Sequence, residues 1–164
     1  MKYFTWDFMY GIEQKNEAEQ KEHYEEFRLR VAKHEQDFSN VKKAFSKESL
    51  HNYEVSGRFH DYVITDLNIF NNDKSNIYPR LEVLMKLSGN GEYTIHYKGV
   101  SNFAIINEMD TAHSRAVSRW SGFDLFLYTE FDALSNNYYK QEILLLTGAV
   151  LKIEFKRIII KKIP

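Results

Sequence analysis

The chain of 164 residues contains no cysteine, only 2 prolines and 7 glycines, and no long apolar run. Without cysteine it has no disulfide, no thiolate zinc site and no cysteine nucleophile. The longest apolar stretch, residues 143–150, is interrupted by Thr147 and Gly148 and falls far short of the ~18 residues of a membrane span. The first residues also lack the apolar run of a signal peptide. We therefore expect a cytoplasmic protein with no membrane partner.

The sequence also lacks an excess of charge of either sign. It has 22 basic and 23 acidic side chains, for a net charge of −1, whereas proteins that bind nucleic acid usually carry a basic excess. We therefore expect no nucleic-acid partner. Aromatic residues, by contrast, reach 15% of the chain. They predict a β-rich core, because aromatic side chains pack well on pleated surfaces; a sticky interface is the alternative.

The N-terminal third has the composition of a long helix. Residues 12–46 contain neither Gly nor Pro and are rich in good helix formers. An apolar stripe runs along one face at alternating spacings of three and four residues. The stripe consists of Tyr24, Phe27, Val31, His34, Phe38, Val41 and Phe45. We expect a helical region over residues 10–50 that covers a sheet, with a coiled coil as the alternative and Ser39-Asn40 as a candidate point of division.

After Gly57 the hydrophobic period changes from 3.6 to 2. Successive alternating runs with short links are typical of an antiparallel meander, and Gly89-Asn90-Gly91 is a strong hairpin signal. The basic run near the C terminus, from Lys152 to Lys162, predicts a charged edge strand. Together these patterns predict a single α+β domain over residues 1–164, with an N-terminal helical region packed on a curved, mostly antiparallel sheet of six to seven strands over residues 58–163.

The first candidate binding site is the doublet His60-Asp61, which opens the first predicted strand. Neighbouring residues of a strand point to opposite faces, so the two side chains are not expected to hold one metal ion together. A structural role, in which Asp61 bonds backbone amides at the strand entry, is the favoured interpretation. His96, on the polar face of its strand, and His51 are the histidines that could join His60.

No established catalytic or cofactor motif is present. The sequence has no His-x-His, no His-Glu-x-x-His, no Gly-x-Ser-x-Gly and no phosphate-binding glycine loop, so we predict no metal, no cofactor and no catalytic residue. Asp124, Glu130 and Glu142 lie on predicted strands and could face one another, as glycosidase chemistry requires. Trp120 is the best candidate for an exposed aromatic residue that binds a partner.

Two segments resemble a family of small bacterial proteins of unknown function, found mainly in low-GC Gram-positive species. They are the opening Lys2-Tyr3-Phe4-Thr5 before a charged helix, and His60-Asp61 before a β meander. Members of that family similarly start with Tyr-Phe-Thr and carry the doublet before strands, although a small polar residue typically follows it where Tyr62 stands here. The resemblance implies bacterial origin and no particular activity.

The sequence leaves three functions open. The leading hypothesis is a non-enzymatic module that binds a protein partner, regulatory or immunity-like, which includes binding a second copy of itself. The second is a metal- or carboxylate-dependent hydrolase that uses His60, Asp61 and His96, and it requires those side chains to converge in one cleft. The third is a small-ligand binder inside a barrel-like sheet, and it requires a cavity of at least ~300 Å³.

Overall fold

A computed structural model describes residues 1–10, 16–72, 80–107 and 125–164. Within them a short helix α1 (Trp6–Tyr10) precedes the long helix α2 (Glu17–Val41) and helix α3 (Lys47–Val55). The strands are β1 (Val63–Asn72), β2 (Arg80–Gly89), β3 (Gly91–Val100), β4 (Asn102–Asn107), β5 (Phe126–Ala133), β6 (Tyr139–Leu145), β7 (Ala149–Phe155) and β8 (Arg157–Ile163). The predicted α+β class with antiparallel strands is confirmed.

The described strands form two four-stranded antiparallel sheets, in the orders β1-β2-β3-β8 and β4-β7-β6-β5. The expected single sheet is therefore not confirmed. The physical reason is a corner where β3 meets β4 and β7 meets β8. Gly99 adopts a φ of +63° there, and the backbone N–H of Lys156 donates to the carbonyl of Lys98 at 3.0 Å. The paired strands bend together at this corner, and so pass from one sheet to the other.

Helix α2 begins after the N-cap residue Asn16 and ends at Val41. Asn16 is the N-cap and accepts from the backbone N–H of Glu19, whose carboxylate accepts in return from the N–H of Asn16. This capping box satisfies donors that the first turn leaves unpaired. A 3₁₀ turn follows Val41, and Ser46 then caps α3. The helical region is thus divided by a break at residues 42–46, and Ser39-Asn40 lies within the continuous helix.

The apolar stripe of α2 crosses the edge strand β5 and packs on both of its sides. Phe38 lies 5.4 Å from the ring of Phe131, in the main core between the sheets. Phe27 lies 6.4 Å from the ring of Tyr128, in contact with the opposite face of the same strand. Tyr24, at the upstream end of the stripe, is exposed. The predicted packing of the helix on a sheet therefore holds for the later turns.

Helix α3 covers the backbone of edge strand β8. The N–H of Ile160 donates to the Ser49 hydroxyl at 3.0 Å, and the Asn52 amide donates to the carbonyl of Ile160 at 3.0 Å. Two backbone groups of this edge strand thereby find partners, and Phe45 forms a parallel bridge with Ile158 of the same strand. These contacts limit the pairing of β8 with a strand of another chain. Basic side chains of this strand, such as Lys161 and Lys162, are exposed.

The main core holds a buried polar chain as well as apolar side chains. The Tyr97 hydroxyl donates to Gln141 Oε1 at 2.7 Å, and Gln141 Nε2 donates to the Thr129 hydroxyl at 2.9 Å. Burial raises the pKa of Tyr97 well above its usual range, so the phenol stays protonated and acts as donor. These bonds tie the inner faces of the two sheets together.

Candidate functional site

The candidate site is a two-lobed groove beside α2 and β5. Its first lobe has a volume of about 160 Å³ and lies between α2, β5 and the turn before β1. The second lobe has a volume of about 170 Å³ and is lined by Met9, His23, Tyr24, Phe27 and Tyr128. Phe27 and Tyr128 line both lobes and form the ridge between them.

Helix α2 supplies one wall of the first lobe. Phe27, Val31 and His34 lie at positions i, i+4 and i+7, so they share one helix face. From β5 come Leu127, Tyr128 and Thr129, and Phe4 closes the lobe from the N-terminal segment. The wall side chains are mainly apolar, which favours an apolar group as occupant.

The turn before β1 forms the remaining wall in a strained conformation. Arg58, Phe59 and Asp61 have φ values of +61°, +64° and +65°, in the left-handed region that non-glycine residues rarely adopt. Phe59 is fully buried, with its ring 5.3 Å from that of Tyr62, and this packing holds the turn in place. Such strain costs about 1–3 kcal/mol per residue and is concentrated at functional sites.

The strained turn is fixed against β5 by backbone hydrogen bonds. The N–H of Asp61 donates to the carbonyl of Phe126, and the N–H of Phe126 donates to the carbonyl of Tyr62, both at 2.8 Å. An isolated antiparallel bridge joins Val63 to Leu125. These contacts place the turn at the side of the first lobe.

A bidentate ion pair closes one end of the first lobe. Arg58 Nη2 donates to Glu35 Oε2 at 3.0 Å, and Arg58 Nη1 pairs with Glu35 Oε1. The hydrogen bonds from this guanidinium hold the pKa of Glu35 below its ordinary value, so the carboxylate is charged at neutral pH. The rim of a mainly apolar lobe therefore carries two opposite charges.

His34 is a buried polar group in the wall of the first lobe. Only 4% of its surface is exposed, and among the described residues its Nε2 atom has no hydrogen-bond partner. Burial lowers the pKa of this imidazole, which is therefore neutral at pH 7. A buried polar atom without a partner costs roughly 1–3 kcal/mol, so its presence in the groove wall requires an explanation.

Residues 2–4, here called the strap, are tied to β5 by one carboxylate. Glu130 is 2% exposed and accepts from the backbone N–H groups of Lys2, Tyr3 and Phe4, each at 2.6 Å. On the α2 side, the Tyr3 hydroxyl donates to Asp37 at 2.6 Å. The strap thus lies between the helix and the sheet and holds Phe4 in the groove wall.

The predicted doublet His60-Asp61 lies in the turn and not in β1, which begins at Val63. The expectation that its side chains point to opposite faces therefore does not apply, since positive φ at Asp61 bends the chain. His60 Nδ1 lies 3.0 Å from Asp61 Oδ2. His60 lines the first lobe, and its ring lies 5.4 Å from that of Tyr128. The doublet is therefore adjacent to the candidate site.

His96 belongs to a different surface, the outer face of the sheet that contains β1. His96 Nε2 lies 2.5 Å from Glu82 Oε2, and the Asn72 amide donates to Glu82 Oε1 at 2.7 Å. Burial pushes the pKa of Glu82 up, but the hydrogen bonds from Asn72 and His96 outweigh it and leave this pKa below its ordinary value. His96 is not among the lining residues of either lobe.

The structure does not bring the predicted hydrolase residues together. His51 is exposed on α3, His60 borders the groove and His96 lies on the outer sheet face. Across the described ranges, no group of three His, Asp or Glu side chains is arranged to hold a metal ion. Neither lobe reaches the ~300 Å³ set for a small-ligand cavity, and both lie outside the sheets.

The remaining predicted residues divide between structural roles and the undescribed part of the chain. Glu130 and Glu142 are directly paired across β5 and β6, but Glu130 is occupied by the strap and Glu142 Oε2 lies 3.0 Å from Lys140 Nζ. Trp120 and Asp124 lie outside the described residues. Of these carboxylates, the two that the structure describes, Glu130 and Glu142, are both engaged by neighbouring groups.

Sequence reasoning missed the groove itself. The sequence places Phe27 and His34 on the apolar stripe of the helix and Tyr128 on a predicted strand, and no local pattern joins these elements. The available signal was the Tyr3-Phe4 pair near the start of the chain, because an aromatic pair outside any predicted element needs a place to pack.

Comparison with known proteins adds little. No protein-family model and no curated protein matches the chain. It is similar to a solved structure described as the crystal structure of an uncharacterized protein from Neisseria gonorrhoeae, with a TM-score of 0.42 and 14% identity over 64% of this chain and 94% of that one. Within the described residues, no helix is long and apolar enough to span a membrane.

Proposed function

We propose that this chain is a non-enzymatic interaction module that binds a protein partner through the two-lobed groove. The partner presents two apolar or aromatic anchor side chains, one for each lobe. A regulatory or immunity-like role in the bacterial cytoplasm is the setting we propose for this interaction.

The observation that carries the proposal is the size of the two lobes and the ridge that they share. Each is close to 160–170 Å³, and an apolar cavity of about 150 Å³ is known to hold one benzene ring. A single lobe therefore fits one side chain, and two lobes that share the ridge of Phe27 and Tyr128 fit two side chains of one segment.

Two anchors of this kind would together contribute about 3–6 kcal/mol to binding, before the cost of association is subtracted. Full burial of one large apolar side chain contributes about 1.5–3 kcal/mol, and a few such anchors dominate most protein interfaces. The apolar walls favour the anchors, and the charged rim formed by Arg58 and Glu35 limits the orientations in which a segment can lie.

Selection of random displayed peptides on the purified protein at pH 7.5 tests the proposal. We expect enriched peptides to share a pair of large apolar or aromatic residues at a fixed spacing. Tyr128→Ala removes part of both lobes and should weaken binding of an enriched peptide by tenfold or more, which corresponds to about 1.4 kcal/mol.

Leu29→Ala is the matched control, because Leu29 lies on the same helix, is 71% exposed and lines neither lobe. Its affinity for the peptide should equal that of the unchanged protein. Thermal unfolding of both variants verifies that they are folded. Failure to enrich any peptide, or equal losses for the two variants, would contradict docking in the groove.

A further inference from the structure

The strap and the helix that follows it contact two separate surfaces, the groove and the outer face of the second sheet. It leads directly into α1, where the Trp6 side chain packs on Leu127, Leu144 and Val150 on the outer face of the second sheet. Phe4, at the other end of this segment, forms part of the first lobe. Movement of the strap would therefore change the groove and uncover an apolar sheet face together.

His34 is the titratable side chain in the packing beneath the strap. Its ring lies 6.1 Å from that of Tyr3 and 5.4 Å from that of Phe4, and on the helix side 6.4 Å from that of Phe38. A neutral imidazole fits among three aromatic rings. An imidazolium there has no hydrogen-bond acceptor at Nε2 among the described residues, and burial of such a charge is strongly unfavourable.

Some of the charged groups around His34 favour protonation of its imidazole and one opposes it. From β5, Glu130 favours the protonated form, as do Glu35 and Asp37 from α2, whereas Arg58 of the strained turn opposes it. Tyr3 of the strap faces the ring and stays uncharged near neutral pH, since burial raises its pKa. Glu130 is engaged by three strap N–H groups while the strap is closed, and no hydrogen bond joins it to His34 Nε2.

We propose that His34 is a proton switch that releases the strap in mildly acidic conditions and so opens the first lobe. Once the strap has moved, the imidazolium gains water, and the Glu130 carboxylate can pair with it in place of the strap amides. Strap release itself is independent of the proposed partner; only its effect on docking rests on the proposed function.

Proton linkage fixes the sign and size of the effect. The pKa of His34 is lowered in the closed form, because burial disfavours the charge, and returns toward about 6.5 when the strap is open. Above that value the closed form is fully favoured. As the pH falls below it, the opening equilibrium constant rises by up to tenfold per pH unit until the closed form also protonates.

Hydrogen exchange of the Tyr3 and Phe4 amides measures this opening, since both donate to Glu130 when the strap is closed. Exchange rates are compared with intrinsic rates at pH 7.5, 6.5 and 5.5, with no partner present. We expect protection to fall by about twofold or less between the first two values and by up to about fivefold between the last two. Ile143 and Leu151 in the main core serve as reference amides and should not change.

His34→Gln cannot titrate, so its protection at Tyr3 and Phe4 should be independent of pH. His51→Gln, at an exposed histidine of α3, should retain the pH dependence. Constant protection in the unchanged protein, or the same fall in His34→Gln, would overturn the proposal.

If His34→Gln does not fold, the unchanged protein still decides the matter. The imidazole of His34 is titrated by NMR, and the emission of Trp6 is followed in a Trp120→Phe background that leaves one tryptophan. The two curves should share a midpoint, and different midpoints would refute the switch. A peptide selected at pH 7.5 remains a separate test, so either proposal can fail alone.

Discussion

Replacement of Glu130 by Gln tests whether one carboxylate fixes the strap. This carboxylate accepts three backbone N–H groups at 2.6 Å in a site that is 2% exposed. Hydrogen bonds to a charged acceptor contribute about 1.5–3 kcal/mol each and neutral ones about 0.5–1.5, so loss of the charge costs about 1 kcal/mol per bond. The two bonds that keep an oxygen acceptor in Gln therefore lose about 2 kcal/mol together.

The amide of Gln adds a further cost. In the native protein Oε1 accepts from Tyr3 and Phe4, whereas Oε2 accepts from Lys2. An amide retains one oxygen, and its NH₂ group then faces a strap N–H, which leaves that donor unpaired at a cost of about 1–3 kcal/mol. With about 2 kcal/mol from the two bonds that keep an acceptor, the expected loss in the free energy of unfolding is about 3–5 kcal/mol, limited by the energy with which the strap is docked.

Urea denaturation followed by far-UV circular dichroism gives the free energy of unfolding, and exchange of the Tyr3 amide gives the local effect. Glu154→Gln on β7 is the control, because Glu154 Oε1 contacts Lys152 Nζ at 3.3 Å on a partly exposed surface. Exposed pairs of this kind contribute about 1 kcal/mol or less. A loss for Glu130→Gln as small as that for Glu154→Gln would refute the role of this carboxylate as the strap tether.

Two further substitutions test the core and the groove rim. Tyr97→Phe removes the donor to Gln141 and should lower the free energy of unfolding by about 1–3 kcal/mol by urea denaturation, since a buried acceptor loses its partner; no loss would contradict the buried polar chain. The pKa of Glu35 is lowered by Arg58, so this pair stabilises the fold above about pH 4.5 and the contribution is lost as the pH falls through the lower, folded pKa. Glu35→Gln should therefore reduce the acid-side slope of stability against pH, and an unchanged slope would show that the pair is not linked to folding.

The long helix and most strands could be predicted because local patterns determine them. The absence of Gly and Pro over residues 12–46 together with a stripe of period 3.6 is sufficient to predict a helix, and alternation after Gly57 is sufficient to predict strands. The sequence offers Ser39-Asn40 as a candidate point of division, although the apolar stripe continues unbroken across it, and the structure divides the region at residues 42–46 instead. Ser39-Asn40 offered capping side chains, but the helix continues through them to Val41, and Ser46 is the cap that is used.

The two sheets could not be predicted from alternation. A hydrophobic period of two residues indicates which side chains share a face of a strand. It does not indicate where the strand bends into a second sheet. At Gly99 the bend depends on a positive φ and on the close approach of Lys156, whose Cβ would lie 3.3 Å from a Cβ placed at Gly99. That approach exists only after β3 and β8 have paired.

Local sequence patterns also fail to predict the roles of single residues in the candidate site. His60 was singled out and borders the groove, but for a different reason than expected, since it lies in a turn. His34 was assigned to the buried helix stripe and is buried, yet its position under the strap follows from contacts with Tyr3 and Phe4, about 30 residues away in sequence. In the sequence nothing distinguishes Glu130 from the other carboxylates, and only its contacts with the strap amides do so.

The sequence by itself determined the α+β class, the amphipathic helix, the antiparallel strands and the absence of cysteine chemistry, because each depends on composition or on neighbours within a few positions. Tertiary structure alone decided that the strands divide into two sheets, that α2 crosses β5, and that the groove forms where they meet. The physical reason is that a groove, a buried carboxylate with three donors and a desolvated histidine are properties of groups brought together from distant parts of the chain, and hydrophobic periodicity carries no record of such distances.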